Sequence, residues 1–204
     1  MAGKKKAEAD LSTEEKIKEA ASRVFTRKGY AATRTRDIAE EAGINLALLN
    51  YYFRSKEKLF QQIMAERMQQ LFGVIAPILN NAALALEAKI DRIAEQYIDM
   101  LLIYPDLPLF VLSEIRNNPE QFVSKMNLKT LIVNSSYMKQ LQERRPDIHP
   151  IHFLLNTLGL IVFPFVAQPV LEATGIASPA VFRNVLAERK KLIPAWLKMM
   201  LEAS

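Results

Sequence analysis

Cysteine is absent from this sequence and glycine is scarce. Without cysteine among its 204 residues, the chain can have no disulfide, thiolate metal site or cysteine nucleophile. This absence suits a reducing cytoplasm, where we expect the protein to act. There are only 6 glycines, none forming a glycine-rich phosphate loop, and half of the residues are hydrophobic. β-Branched residues are not grouped between regular turn signals, so the composition predicts an all-α fold.

Charge is missing from one long stretch, residues 153–171. A run of that length is just sufficient to span a membrane. Polar residues and two prolines, Pro164 and Pro169, interrupt it, and the sequence has no second run of this kind. We therefore expect a helix buried in the core or at an interface, and no membrane association. The basic N-terminus lacks the apolar segment of a signal peptide.

Positive charge is concentrated at the start of the chain. Residues 1–58 hold 13 Lys and Arg against 9 Asp and Glu, a net charge of +4. Residues 59–204 hold 14 against 13, a net charge of +1. The excess in the first quarter indicates an anionic partner there, and nucleic acid is favoured over a membrane surface.

Three helices are predicted within residues 12–52. The first spans 12–28, because Ser12 and Glu15 form a capping-box pattern and Gly29 follows the last apolar residue of the stripe. The second is expected to begin at Thr33 and to stop at Gly43. The third, LALLNYY, is capped by Asn45. Two short helices joined by a turn containing glycine are typical of a helix-turn-helix.

Six further helices complete a prediction of about nine. The fourth helix is expected to begin at Ser55, the fifth to span 84–104 and a short sixth to end at 117. The last three are expected over 119–145, 150–173 and 179–202, and Pro164 and Pro194 should kink or interrupt the last two. We expect residues 1–58 to form the helix-turn-helix domain, with 1–10 as a disordered arm. Residues 59–204 are expected to form a second helical domain.

The third helix has two different faces. Leu48, Leu49 and Tyr52 can pack inward with Phe53 behind them. Pointing outward are Leu46, Ala47, Asn50 and Tyr51. Asparagine can bond adenine and apolar groups can contact thymine methyls, so this face suits the major groove. Residues near helix N-termini that suit phosphate are Thr33, Arg34, Arg36, Arg54 and Lys56. The alternative is a small bundle whose aromatic residues are all core; we favour DNA binding.

The segment from Phe25 to Phe60 resembles the DNA-binding domain of the tetracycline-repressor-like (TetR) family. The resemblance rests on an aromatic residue, Gly-Tyr, a Thr-led helix ending Ile-Ala-x-x-Ala-Gly, and Phe-x-x-Lys-x-x-Leu after the recognition helix. The matching residues are Phe25, Gly29, Tyr30, Thr33, Ile38, Ala39, Ala42, Gly43, Phe53, Lys56 and Leu59.

The resemblance implies a homodimer that reads an inverted repeat of double-stranded DNA in successive major grooves. It implies that Thr33 caps its helix and meets a phosphate, and that Lys56 contacts phosphate. Residues implied at the DNA face are Asn45, Leu46, Ala47 and Tyr51. The family often has Lys at the position of Leu46 and Tyr at that of Asn50. Either Asn50 reads a base edge or Tyr51 takes over a backbone contact.

The resemblance also implies a ligand pocket and a dimer interface within residues 59–204. We expect a small, mostly apolar or neutral molecule to release a repressor from its operator, and a co-repressor role is the alternative. Candidate pocket residues, which could also be ordinary core, are Met68, Met100, Tyr104, Phe110, Met126, Tyr137, His152 and Asn156. Candidate interface residues, with intrachain core as the alternative, are Leu158, Ile161, Val162, Phe165, Val181, Val185, Ile193 and Trp196.

An enzyme and a protein-interaction adaptor are the competing functions. Ser136 and Lys139 form a Ser-x-x-Lys pair, but the companion motifs of that chemistry are missing. Asp147, His149 and His152 lie close in sequence, with a proline between the histidines, and we expect a capping or core histidine rather than a metal ligand. We therefore expect no enzyme activity, cofactor or metal. An adaptor would bind protein without binding specific DNA, and a regulator controlled by a partner protein is a further alternative.

Overall fold

The computed structural model describes residues 12–117 and 119–202, which are helical and contain no strand. Ten α-helices and one π-helical turn succeed one another in this part of the chain. The helices are α1 (Thr13–Ala32), α2 (Thr35–Ala42), α3 (Leu46–Tyr52), α4 (Lys56–Asn80), α5 (Leu86–Ile103), α6 (Leu107–Asn117), α7 (Pro119–Lys125), α8 (Ser136–Arg144), α9 (Ile151–Ala173) and α10 (Pro179–Glu202). The π-turn, Lys129–Val133, lies between α7 and α8. The all-α prediction is confirmed.

The chain forms two compact units, the first ending at Met68 and the second beginning at Gln69. Helix α4 begins in the first unit and ends in the second. The predicted domain boundary after residue 58 falls near the start of this helix and stays a prediction. The arm predicted for residues 1–10 lies outside the described residues.

In the first unit, α1 begins at the predicted cap and breaks at the predicted stop, Gly29, although it extends four residues beyond the predicted end, to Ala32. The Ser12 hydroxyl accepts the Glu15 N–H at 3.3 Å, and the Glu15 carboxylate accepts the Ser12 N–H at 2.9 Å. Gly29 adopts a φ of 74°, which breaks the regular helix and leaves a short helical turn up to Ala32. The stripe that packs into the core consists of Ile17, Ala20, Ala21, Val24 and Phe25.

The turn between α2 and α3 follows the predicted helix-turn-helix pattern. Gly43 ends α2 in the left-handed conformation, with φ 67°, a conformation that favours glycine. The Asn45 side-chain oxygen then accepts the Leu48 N–H at 2.8 Å and caps α3. Short helices need tertiary contacts, and Ile38 of α2 and Leu49 of α3 supply them, since both are fully buried.

In the second unit, α5 packs against both α9 and α10. Its buried face carries Ile90, Ile93, Ala94, Ile98 and Leu101. Two ion pairs join its outer edge to α10, Lys198 with Asp91 at 2.6 Å and Lys190 with Asp99.

A single helix predicted over 119–145 is wrong, because this segment holds α7, the π-turn and α8. Asn127 has a positive φ of 48°, which ends the first piece. The Ser135 hydroxyl accepts the Met138 N–H at 3.2 Å and starts α8. Polar side chains that bond to nearby backbone compete with a continuous helix. These interruptions account for the extra elements beyond the nine predicted.

Pro164 lies inside α9 without interrupting it, and Pro194 lies likewise inside α10. Proline lacks an N–H, so Pro164 leaves the Leu160 carbonyl, four residues earlier, without its helical donor. The guanidinium of Arg189 from α10 donates to that carbonyl at 2.7 Å and lies 5.4 Å from the centre of the Trp196 ring. The predicted interruption at these prolines is therefore wrong, and the alternative, a kink, stays a prediction.

Lys89 is fully buried at the first turn of α5. Its ammonium donates to the Ser136 hydroxyl at 2.6 Å and to the Gln140 side-chain oxygen at 2.7 Å. The Ser136 hydroxyl donates in turn to the Leu79 carbonyl at 2.9 Å. Both direct partners are neutral, so burial lowers the pKa of Lys89. This network joins the end of α4 to α5 and α8.

Candidate nucleic-acid interface

Helix α3 presents the predicted outward face. Ala47 and Asn50 are exposed, Leu46 is partly exposed and Tyr51 is 80% exposed. On the opposite side Leu49 is fully buried. The exposure of Leu46, Ala47, Asn50 and Tyr51 and the burial of Leu49 agree with the predicted faces, while contacts with DNA stay predictions.

Tyr52 differs from its prediction as an inward residue, because it is 40% exposed. Its ring packs edge-on against the ring of Tyr51, with centroids 5.4 Å apart. Successive residues of a helix point in different directions, so Tyr51, Tyr52 and Phe53 cannot all face the core. Phe53, just beyond the end of α3, is the buried one. The pair Tyr51–Tyr52 therefore forms an aromatic ridge beside the outward face.

Several basic residues of the first unit are used to hold its helices together. Arg23 and Arg27 of α1 both pair with Glu41 of α2, at 2.9 Å and 3.0 Å. Lys28 pairs with Asp37 at 3.1 Å. The two arginines lower the pKa of the Glu41 carboxyl through their hydrogen bonds. These three cations hold α1 against α2, so fewer basic residues of the first unit remain to attract an anion.

Four other cations are exposed at or near helix N-termini. Arg34 precedes α2 and Arg36 lies in its first turn, while Arg54 precedes α4 and Lys58 lies in its first turn. Among the described residues, no carboxylate lies within ion-pair distance of these four. Cations next to free backbone N–H groups suit phosphate. Lys58 is not among the residues predicted from the sequence, although its place in the first turn of a predicted helix could have indicated it.

Thr33 and Lys56 occupy the corner between α1 and α2. Thr33 is 2% exposed, and its hydroxyl donates to the Gly29 carbonyl at 2.7 Å. The N-cap of α2 is Arg34, so the predicted cap at Thr33 is wrong: Thr33 belongs instead to the end of α1. The half-buried Lys56 ammonium donates to the carbonyls of Tyr30 and Thr33, at 2.8 Å and 2.9 Å.

Comparisons with known proteins place this arrangement in a family. The family model of bacterial regulatory proteins, tetR family, matches residues 17–63, which include α2, α3 and the corner. The chain is a TetR-family transcriptional regulator. The regulator is 25% identical over 169 residues to the probable HTH-type transcriptional regulator YttP of Bacillus subtilis, covering 78% of this chain and 79% of that protein.

A second relative agrees with this assignment, and a solved structure has a similar fold. The regulator is 28% identical over 150 residues to the HTH-type transcriptional repressor KstR2 of Mycolicibacterium smegmatis, covering 67% of this chain and 70% of that protein. Its fold is similar to that of the transcriptional regulator FadR from Bacillus subtilis in complex with stearoyl-CoA. The TM-score is 0.57 at 16% identity, over 88% of this chain and 96% of that one. These relatives are regulators rather than enzymes.

The predicted pocket residues of this regulator range from buried to exposed. Tyr137 and Met68 are buried, whereas His152 and Asn156 are exposed and the other four are half-buried. Burial raises the pKa of Tyr137 to about 12. A cleft of about 220 Å³ lies elsewhere in the second unit; its lining is Leu101, Leu102, Pro105, Phe165, Gln168, Pro179, Phe182 and Arg183. It includes none of the predicted residues, whose role as a pocket stays a prediction.

The predicted dimer residues differ in exposure: some are exposed or half-buried, and others are buried. Leu158, Val181 and Val185 are exposed, and Val162 and Trp196 are half-buried. Ile161, Phe165 and Ile193 are buried within their own chain, which is the intrachain-core alternative for these three residues, and an interface role for the others stays a prediction. The exposed large apolar residues of α9 and α10 that were not predicted are Ile151, Leu155, Phe163, Val170, Leu192 and Met199. In α9, which is apolar all round, the spacing of apolar residues cannot distinguish the buried residues from the exposed ones.

By length and composition only, helix α9 is long and apolar enough to cross a membrane. No other helix among the described residues meets this criterion. Only 17% of its most apolar stretch is buried inside the chain. An exposed apolar helix of this kind needs a cover.

The residues behind the enzyme alternative have structural partners. The Ser136 hydroxyl bonds with Lys89 and the Leu79 carbonyl rather than with Lys139. The His149 Nδ1 accepts the Ile151 N–H at 3.2 Å, which is a capping contact. In residues 12–117 and 119–202 no group of three or more metal-binding side chains comes together.

Proposed function

We propose that this regulator is a homodimeric repressor that binds an inverted-repeat operator and is released by a small, mostly apolar or neutral molecule. The observation that carries the proposal is the outward face of α3, polar and aromatic, flanked by four exposed cations at the starts of α2 and α4. Bacterial DNA lies in the cytoplasm, so we place the protein there.

Base reading is assigned to the outward residues of α3. Asn50 can bond a base edge through its amide, and Leu46 and Ala47 can contact thymine methyls. Asn45 can use only its amide N–H groups fully, since its oxygen already caps α3. Tyr51, the most exposed residue of this face, suits a backbone or base contact.

Phosphate binding is assigned to the exposed cations. Arg34 and Arg36 stand at the start of α2, where the helix dipole and free N–H groups also favour an anion. Each phosphate contact contributes to a steep dependence of affinity on salt.

The dimer is assigned to the exposed face of α9 and α10. Phe163 and Val170 of α9 and Val181 and Val185 of α10 leave apolar surface uncovered in the single chain. A second copy of the same face would cover it, with the two-fold symmetry that an inverted repeat also has. The same face argues against a role as a monomeric adaptor.

Ligand control is supported by the relatives. KstR2 is named a repressor, and FadR was solved with stearoyl-CoA. In this chain, α4 is continuous from the first unit into the second, so a ligand held in the second unit could move α4. A ligand that prefers one spacing of the two recognition helices shifts the dimer between binding and non-binding states. Reading requires a spacing of about 34–36 Å.

Selection of binding sites from random duplex DNA tests the proposal. The purified protein is used at two salt concentrations, and the enriched sequences are aligned. An enriched inverted repeat whose affinity falls steeply with salt would support the proposal. Salt-dependent binding without a motif would contradict sequence-specific repression. Absence of binding at both salts would favour the adaptor.

A further inference from the structure

We propose that Lys56 is a positioning residue that fixes the reading segment, residues 34–55, instead of contacting phosphate. Residues 34–55 contain both α2 and α3. The inference requires that the protein bind DNA, and it does not depend on the proposed ligand or on repression.

The ammonium of Lys56 is already engaged within its own chain. Two of its three N–H donors go to the carbonyls of Tyr30 and Thr33, at 2.8 Å and 2.9 Å. The ring of Tyr30 lies against it, with 4.2 Å from Nζ to the ring centre. A phosphate would have to compete with two charge-assisted hydrogen bonds and a cation–π contact.

The carbonyls need donors because α1 ends at Ala32, with Thr33 as its C-cap. The last carbonyls of a helix have no N–H partner further along the helix. The Thr33 hydroxyl donates to the Gly29 carbonyl at 2.7 Å, and the Lys56 ammonium donates to the carbonyls of Tyr30 and Thr33. A cation at this position also suits the negative end of the α1 dipole.

The bond from Lys56 to Thr33 joins the two ends of the reading segment. Thr33 immediately precedes residues 34–55 and Lys56 immediately follows them, so their contact closes this segment at its base. Aromatic packing supports the same corner, since the Phe60 ring lies 4.5 Å from that of Tyr30 and 5.0 Å from that of Phe25. Base readout depends on the placement of α3, whereas attraction to phosphates depends mainly on charge.

Lys58 offers a matched comparison two residues later. It lies in the same turn of α4 and is exposed. Its backbone N–H bonds to the Ser55 hydroxyl at 3.1 Å, but no carboxylate of the described chain lies within ion-pair distance of its ammonium. A lysine placed in this way can reach phosphate freely.

The experiment measures the affinity of Lys56→Met and Lys58→Met for a selected operator and for an unrelated duplex, across a series of salt concentrations. For Lys58→Met we expect equal weakening on both duplexes and a slope of log affinity against log salt lower by about 0.9 per subunit. For Lys56→Met we expect an unchanged slope on the unrelated duplex and an operator-to-unrelated ratio reduced by about tenfold, the loss of about one specific base contact. Lys56→Arg should restore the ratio, because arginine can donate to both carbonyls and stack on Tyr30.

The proposal is overturned if Lys56→Met lowers the slope as much as Lys58→Met and weakens both duplexes equally. Circular dichroism and titration of the fraction of protein that binds DNA correct each affinity for the folded fraction. If Lys56→Met does not fold, Lys56→Gln keeps a donor without the charge, and a slope lowered by a full charge would overturn the proposal. If no operator exists, the slopes on unrelated DNA still decide between the two roles of Lys56.

Discussion

Phe163 provides the sharpest test of the proposed dimer. Its side chain is 66% exposed at the uncharged middle of α9, within the face assigned to the second subunit. Burying a whole phenylalanine contributes about 1.5–3 kcal/mol, so covering about two-thirds of it contributes about 1–2 kcal/mol. A symmetric dimer buries two copies, which gives about 2–4 kcal/mol.

The perturbation is Phe163→Glu. Loss of about 2–4 kcal/mol raises the dimer dissociation constant by about 30-fold to 1,000-fold. The glutamate adds a further cost, because its charge would lose water at an apolar interface. Sedimentation equilibrium over a range of protein concentrations measures the constant directly.

Leu109→Glu is the matched control, since Leu109 is a 55% exposed apolar residue on α6 and outside the proposed interface. We expect this variant to dimerise like the unchanged protein. The reasoning would be refuted if Phe163→Glu had an unchanged dissociation constant, or if the control dissociated to the same extent.

Three further predictions concern stability. Burial lowers the pKa of Lys89, so its charge opposes folding below the folded-state pKa, and the free energy of unfolding should rise with pH between that pKa and about 10.4. Urea unfolding at several pH values should show this rise for the unchanged protein relative to Lys89→Met. Parallel curves for the two proteins would contradict the prediction. Arg189→Met removes the donor of the Leu160 carbonyl and should cost about 1–3 kcal/mol in urea unfolding, whereas an unchanged midpoint and slope would show that water replaces the donor. Asn45→Ala should cost about 1 kcal/mol in thermal unfolding and Asn45→Ser should recover most of it; equal melting of both variants would disprove the cap.

Helix starts and stops were predictable because their signals are local. Ser12 and Asn45 accept backbone N–H groups three residues ahead, and Gly29 and Gly43 adopt positive φ values. Each signal acts within one turn of the helix that it begins or ends, so the sequence alone contains the necessary information.

Contacts between distant segments were not predictable in the same way. The roles of Thr33 and Lys56 depend on residues 29–33 meeting the start of α4, which no local pattern reveals. The burial of Ile161 and Ile193 depends on which sides of α9 and α10 face each other. The donor that satisfies the Leu160 carbonyl likewise comes from another helix, so the tolerance of α9 for Pro164 could not be anticipated.

The break between α7 and α8 shows the opposite limit. Asn127 and Ser135 are ordinary residues within an apparently continuous helical pattern. Asn127 adopts a positive φ, and the Ser135 hydroxyl accepts the Met138 N–H; both features compete with a continuous helix. Asparagine and serine occur too often inside helices for their presence alone to predict an interruption.

The contact between Lys56 and the Thr33 carbonyl has a consequence for protein engineering. Both ends of residues 34–55 are held by atoms that lie outside that segment, the Lys56 ammonium and the Thr33 main chain. The reading segment is therefore a cassette with fixed attachment points. Exchanging residues 34–55 for those of another regulator, while keeping residues 29–33 and 56–60 and the buried side chains Ile38 and Leu49, should transfer the DNA sequence preference onto an unchanged sensor.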